Sequence, residues 1–283
     1  MKFLEDLKAQ YQFGGIVQKL IFWNIGLFLV SIILFFNFRS QQFTFPNYVA
    51  LHSSFEVFKF NFWTVFTYMF FHNGFLHLLF NMLMLHFSSR FFLTFFTEKQ
   101  FLYVYLAGGI FSGFVFLGFY SALELSIPLV GASASIMAIL VSATLYQPNY
   151  ILQIPLIGKL KLWYITAVLV ALDLVFLVQI LFSAQMSYSS IGGRISHLAG
   201  AFSGLIFVFF LQKGIDFSSY FTNKKKNKNK TPFKKVYKNK ANVTLSATHE
   251  NQKRIDDILD KISTSGYDNL TKEEKEFLFK QGK

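Results

Sequence analysis

The feature that most restricts this chain is a series of apolar stretches of membrane-spanning length. Ile16–Phe36, Phe75–Leu93, Gln100–Tyr120, Leu160–Leu181 and Ile195–Leu211 each approach the ~20 residues that carry an α-helix across a ~30 Å hydrocarbon core. In lipid every backbone N–H and C=O must find a partner inside the protein, so such stretches become helices and several of them become a bundle. One more apolar stretch breaks the pattern. Ser133–Tyr146, with Pro128 before it and Gln147-Pro148 after it, rises only about 21 Å at ~1.5 Å per residue. Its first residue therefore lies below the membrane surface, reached by non-helical backbone. Such backbone survives at that depth only where protein buries it or water lines it. The expected fold is an all-α membrane protein: a six-helix transmembrane bundle with a short fourth helix, followed by a small cytoplasmic helical tail.

Composition agrees with a membrane setting. Of 283 residues, 53% are hydrophobic and 19% aromatic, a poor fit to a soluble domain. The absence of cysteine excludes structural disulfides and thiolate metal sites. The formal net charge of +12 is concentrated in nine lysines between Lys224 and Lys240, directly behind the last apolar stretch. That position suits anionic lipid, at roughly 1 kcal/mol per lysine near the surface, better than nucleic acid. The first eighteen residues are mixed and charged, and the apolar run behind them is long enough to stay as a membrane helix, so a cleaved signal peptide is not expected. Lys2, Lys8, Lys19, Arg90, Lys99, Lys159, Lys161 and the tail lysines fall on one side, against Arg39, Lys59 and Arg194 on the other. The positive-inside rule then puts both termini in the cytoplasm of a multi-pass cell-membrane protein, and six spans satisfy that.

The expected divisions are a cytoplasmic segment over 1–15, a membrane domain over 16–213, a lysine-rich linker over 214–248 and a helical hairpin over 249–283. The loop Asn37–Val65 is too broken to span and too aromatic for open water, so an interfacial position is expected. In the tail, Ile255, Ile258, Leu259 and Ile262 repeat at helical spacing, and Thr271-Lys272-Glu273-Glu274 has the form of a capping box. Nothing in the tail points to chemistry.

Polar groups inside spanning segments are costly, so each needs a reason. His77 and Asn81 stand four apart on one helix face, with His72 shortly before them. On the last stretch His197 precedes Gly200 and Gly204, a small-xxx-small strip that lets another helix approach closely. If that strip packs on the short helix, His197 comes near Ser133. Acyl transfer needs such a set. A serine hydroxyl becomes a nucleophile when an imidazole takes its proton, and the tetrahedral oxyanion needs donors, here the Ser133 N–H, the Asn81 amide and the His77 ring. No carboxylate is placed in sequence to orient the histidine, so a Ser–His dyad is expected. Ser135 is the rival hydroxyl, but two residues along a helix it points roughly the other way. Asp173 has no motif and no obvious cation nearby in sequence; pairing with a polar group on another helix and neutrality through burial are both open to it, and it receives no functional role. A metal site from His72, His77 and His197 lacks carboxylate or thiolate ligands, so neither metal nor cofactor is expected.

Trp63, His72, His77-x-x-x-Asn81, Gly131-Ala132-Ser133-Ala134 and His197-x-x-Gly200-x-x-x-Gly204 together resemble the rhomboid intramembrane serine proteases, over roughly Ile16 to Leu211. The resemblance implies Ser133 as nucleophile, His197 as base, His77 and Asn81 as oxyanion helpers, and Gly131, Gly200 and Gly204 as the turn and packing glycines. It also implies substrates that are transmembrane helices of other proteins, cleaved near their outer ends without a cofactor. Three positions depart from the family's usual pattern. Ala134 stands for a glycine after the serine, Trp63-Thr64 for a Trp-Arg pair, and Met137 for an aromatic residue four positions after the serine. Ala134 and Met137 are the main support for an alternative reading, a catalytically impaired rhomboid-like protein that binds membrane clients without cutting them.

Overall fold

A computed structural model describes residues 2–154, 158–182, 188–221 and 241–281. Two compact units are present, Met1–Thr222 and Asn223–Lys283. In the first, α1 (Lys2–Phe13) leads into α2 (Ile16–Phe35). The aromatic loop is built from β1 (Phe36–Asn37), β2 (Gln42–Phe43), β3 (Leu51–His52), the single turns α3 (Phe55–Phe58) and α4 (Thr64–Thr67), and a 3₁₀ turn Tyr68–Phe70. After it come α5 (Phe75–Phe95), α6 (Glu98–Ala122), β4 (Pro128–Leu129) and α7 (Ser133–Tyr146). The hairpin β5 (Ile151–Ile154) and β6 (Gly158–Lys161), α8 (Leu162–Phe182), α9 (Tyr188–Gln212) and a 3₁₀ turn Phe217–Phe221 complete the unit. Among the described residues five helices, α2, α5, α6, α8 and α9, are long and apolar enough to cross a membrane.

The short helix α7 sits at the centre. Every residue from Ala134 to Thr144 is buried, and α5, α6, α8 and α9 all pack against it. A helix surrounded by protein need not match the bilayer thickness, because neighbouring helices rather than lipid cover it from Ala134 to Thr144. Small residues allow that crowding. A Cβ added at Gly200 would lie 2.1 Å from the Ala134 carbonyl oxygen, and one added at Gly204 would lie 2.4 Å from that of Ala138. Gly108 would meet the Ala138 methyl at 2.5 Å. Without aqueous surroundings to drive association, this backbone proximity and a few interhelical hydrogen bonds hold the bundle. Ser142 Oγ donates to the Gly204 carbonyl (3.2 Å), Ser112 Oγ to that of Ser196 (2.6 Å), and the Thr144 and Thr166 hydroxyls share a bond of 2.6 Å.

The aromatic loop is tied to the stretch before α7. β3 pairs antiparallel with β4, Leu51 opposite Leu129 and His52 opposite Pro128. Ser53 Oγ accepts the Ile127 N–H (2.9 Å) and donates to the Leu125 carbonyl (2.5 Å), while Tyr68 reaches the Gly109 carbonyl of α6 (2.8 Å). The entry to the short helix is thereby fixed from outside the bundle.

Three boundaries differ from the expected ones. The Phe217–Phe221 turn lies within the stretch expected to be linker, because Asp216 accepts from Gln100 Nε2 at 3.1 Å and Phe217 stacks on Tyr103 and meets Phe210 edge-on. Arg194, expected in a loop, lies inside α9, which begins at Tyr188 rather than Ile195. In the second unit α10 (Ala241–Ser265) starts within the expected linker; the lysine run of 224–240 lies outside the described residues. Gly266, at φ +81°, ends that helix, and α11 (Lys272–Gln281) opens on the reciprocal Thr271–Glu274 capping box. Lys261 bonds Glu274 (2.9 Å) and Arg254 lies over Phe277 (4.8 Å), clasping the two helices.

Candidate active site

The turn into α7 is built around Gly131. Its N–H donates to the Tyr68 carbonyl (3.0 Å) and its φ is +132°, a conformation that strains any side-chain-bearing residue. A Cβ there would also stand 2.9 Å from Cε1 and Nε2 of His77. Ser133 follows as the first residue of α7. No side chain caps this end. The N–H groups of Ser133, Ala134 and Ser135 therefore lack intrahelical acceptors and carry the positive end of the helix dipole.

α5 supplies the second wall. The Asn73 N–H donates to His77 Nδ1 (3.3 Å), so the neutral ring carries its hydrogen on Nε2, the edge that abuts Gly131. Asn81 Nδ2 gives one hydrogen to the His77 carbonyl (2.8 Å) and retains the other. α9 supplies the third wall. The Gly200 contact with Ala134 brings α9 against the first turn of α7, and His197 stands one turn earlier on α9. Ser133, His77, Asn81 and His197 line one cavity of about 270 Å³, together with Phe80, Met84, Ile136, Met137, Leu169 and Leu172. Ser133 and His197 share this cavity without a hydrogen bond between them. Catalytic hydrogen bonds are often loose before substrate arrives and tighten in the complex.

The remaining lining residues are a finding that sequence reading missed. Asp173 of α8, 3% exposed, faces His197, with Nδ1 at 3.2 and 3.1 Å from Oδ1 and Oδ2. Arg194 donates to Asp173 Oδ1 at 2.7 Å and its guanidinium lies over the Phe176 ring at 4.5 Å. The expectation that no carboxylate orients the histidine is thus corrected. Asp173 precedes His197 by 24 residues on another helix, a pairing that appears only when α8 and α9 pack. The available signal was the pair itself, an acid and a base inside apolar segments, each needing a partner.

Ser135 turns away, fully buried, with its hydroxyl toward Met69 Sδ (3.8 Å). His72, in the loop before α5, is fully buried with its ring 5.1 Å from that of His77. Burial, with His77 beside it, pushes His72 down to about 3, so the ring is neutral. No cluster of metal-ligating residues occurs among the described residues.

The Rhomboid domain family matches residues 59–214, more than half of the chain and all of the cavity-lining residues. The chain belongs to the rhomboid family. A second match, over 246–280, is to a family of unknown function, DUF6576, and covers the helical hairpin. No curated protein matches the chain. As a rhomboid family member with five long apolar helices, it is a multi-pass membrane protein.

The departures from the usual rhomboid pattern each have a place. Ala134 is buried and meets Gly200 through its backbone, so its methyl does not separate the helices. Thr64 is buried and donates to the Asn61 carbonyl (2.6 Å), a local bond that needs no charge, while Trp63 Nε1 donates to the Tyr48 carbonyl (3.0 Å). Met137 lines the cavity that holds His197 and fills it with a flexible thioether in place of an aromatic ring.

Proposed function

We propose that this rhomboid is an intramembrane serine endopeptidase that hydrolyses peptide bonds in or near transmembrane segments of other proteins. The observation that carries the reading is the convergence of Ser133, at the uncapped N-terminal end of α7, with His197, His77 and Asn81 on one cavity. Ser133 Oγ attacks the scissile carbonyl while His197 takes its proton, and a C–O bond forms as the carbonyl oxygen becomes an oxyanion. The first-turn N–H groups of α7, the second Asn81 hydrogen and His77 Nε2–H are the donors for that charge. Collapse breaks the C–N bond, His197 returns its proton to the leaving amine, and water hydrolyses the acyl-enzyme by the reverse sequence of transfers. Serine acyl transfer of this kind needs no cofactor.

The apolar lining from Phe80, Met84, Leu169 and Leu172 suits an apolar peptide segment. In this reading α7 is the short fourth of six spans, and the basic residues biased to one side support a cell-membrane position with both termini cytoplasmic and anionic lipid as the partner of the Lys224–Lys240 run. A fluorophosphonate probe on the purified protein tests the reading. It predicts labelling at Ser133 and cleavage of a single-span substrate, both lost in Ser133→Ala. Client binding without labelling, indifferent to Ser133→Ala and His197→Ala, is the outcome that the impaired reading requires.

A further inference from the structure

We propose that Asp173, paired with Arg194, is the positioning carboxylate of the Ser133–His197 pair, so that the site works as a triad spread over three helices. The inference rests on the reading of Ser133 as nucleophile and His197 as base. Both Asp173 oxygens lie within 3.2 Å of His197 Nδ1. A carboxylate accepts and cannot donate, so Nδ1 carries the hydrogen and Nε2 keeps its lone pair for the Ser133 proton. When His197 takes that proton, the new positive charge forms beside a negative one already in place, and no group has to reorganise.

A carboxylate 3% exposed among apolar helices is expensive to keep unless it is paired and hydrogen-bonded. Arg194 meets that need. It bonds Oδ1 at 2.7 Å and stacks on Phe176, one turn along α8 from Asp173. Arg194 and His197 stand three apart on α9 and so share a face, and Asp173 bridges them. The arrangement divides the work. Arg194 compensates the resting charge of the carboxylate, and its seat on Phe176 and its bond to Oδ1 fix the carboxylate's orientation toward the imidazole. Met137, which stands where an aromatic ring would flank the histidine, packs softly and orients little. Asp173 supplies the orientation from the other side.

The purified full-length protein in detergent is treated with a rhodamine-conjugated fluorophosphonate, and the saturating labelling rate and half-saturating concentration are measured separately, with melting temperature alongside. Asp173→Asn places an amide against Nδ1 that can donate to it and hold the ring in the wrong tautomer. Its saturating rate is expected to fall about 100-fold or more, with half-saturation unchanged. Asp173→Glu, which keeps a carboxylate, recovers at least tenfold of that loss. The double variant Asp173→Asn/Arg194→Gln removes the stranded cation, so its melting temperature returns toward wild type while its labelling stays as slow as in Asp173→Asn. A wild-type rate in Asp173→Asn overturns the proposal, as does a wild-type rate in the double variant, which makes Asp173 only the counter-ion of Arg194. Labelling of wild type separates this failure from that of the protease reading, because an unlabelled wild type overturns both.

Discussion

Gly200→Ala tests whether helix spacing sets the catalytic geometry. The added methyl would lie 2.1 Å from the Ala134 carbonyl oxygen, far inside the 3.4 Å of an ordinary contact. The obstacle is backbone at the first turn of α7, so no side chain can rotate away, and α9 must retreat by about 1 Å. Overpacking of this kind typically destabilises by roughly 1–3 kcal/mol. The effect on chemistry is expected to be larger. His197 stands one turn from Gly200, and misplacing a catalytic group by ~1 Å costs on the order of 100-fold. Gly204→Ala is the internal control, since its methyl would meet the Ala138 oxygen at 2.4 Å, a similar clash one turn farther from the histidine. Fluorophosphonate labelling rates and melting temperatures of both variants decide the matter. Gly200→Ala should lose about 100-fold in rate, and Gly204→Ala at least tenfold less, for similar losses of stability. Equal rate losses, or a wild-type rate in Gly200→Ala, would refute the link between this contact and the position of His197.

Gly131→Ala should abolish labelling and lower stability by about 1–3 kcal/mol, because the new residue meets both a strained φ and the His77 ring; a labelled, stable variant contradicts the assigned turn. Ser135→Ala should label within a few fold of wild type, since its hydroxyl faces Met69 and alanine keeps the backbone N–H; loss of labelling would reopen the choice of nucleophile. His72 gives a pH prediction. Its folded value lies near 3 against an ordinary 6.5, so the unfolded chain binds the extra proton and stability falls as pH drops below about 6.5. Between pH 7.5 and 5 this one group removes about 2 kcal/mol, and melting curves of His72→Gln should lack that share; identical pH dependence in the two proteins would exclude it.

Much of this architecture is legible in the chain. The length of each apolar stretch announces the helices, and the flanking prolines announce that α7 is short. Local spacing also carries the His77–Asn81 face and the Gly200–Gly204 strip, because residues three or four apart share a helix surface whatever surrounds it. What sequence spacing cannot carry is the register of one helix against another. Asp173 and His197 meet because α8 and α9 pack at one particular offset, and no pattern within either segment encodes it. Starting the last span at Ile195 hides the matter further, since it leaves Arg194 in a loop and Asp173 without a cation. The 3₁₀ turn at Phe217–Phe221 escapes for the same reason, its anchor Gln100 being more than a hundred residues away.

The central claim is that Ser133 is an activated nucleophile with His197 as its base. The most direct measurement is fluorophosphonate labelling of the purified full-length protein, with the modified residue located by mass spectrometry. The account predicts a single adduct on Ser133, absent in Ser133→Ala and slowed at least 100-fold in His197→Ala. A wild-type protein that stays unlabelled, or an adduct that persists in Ser133→Ala, would contradict it.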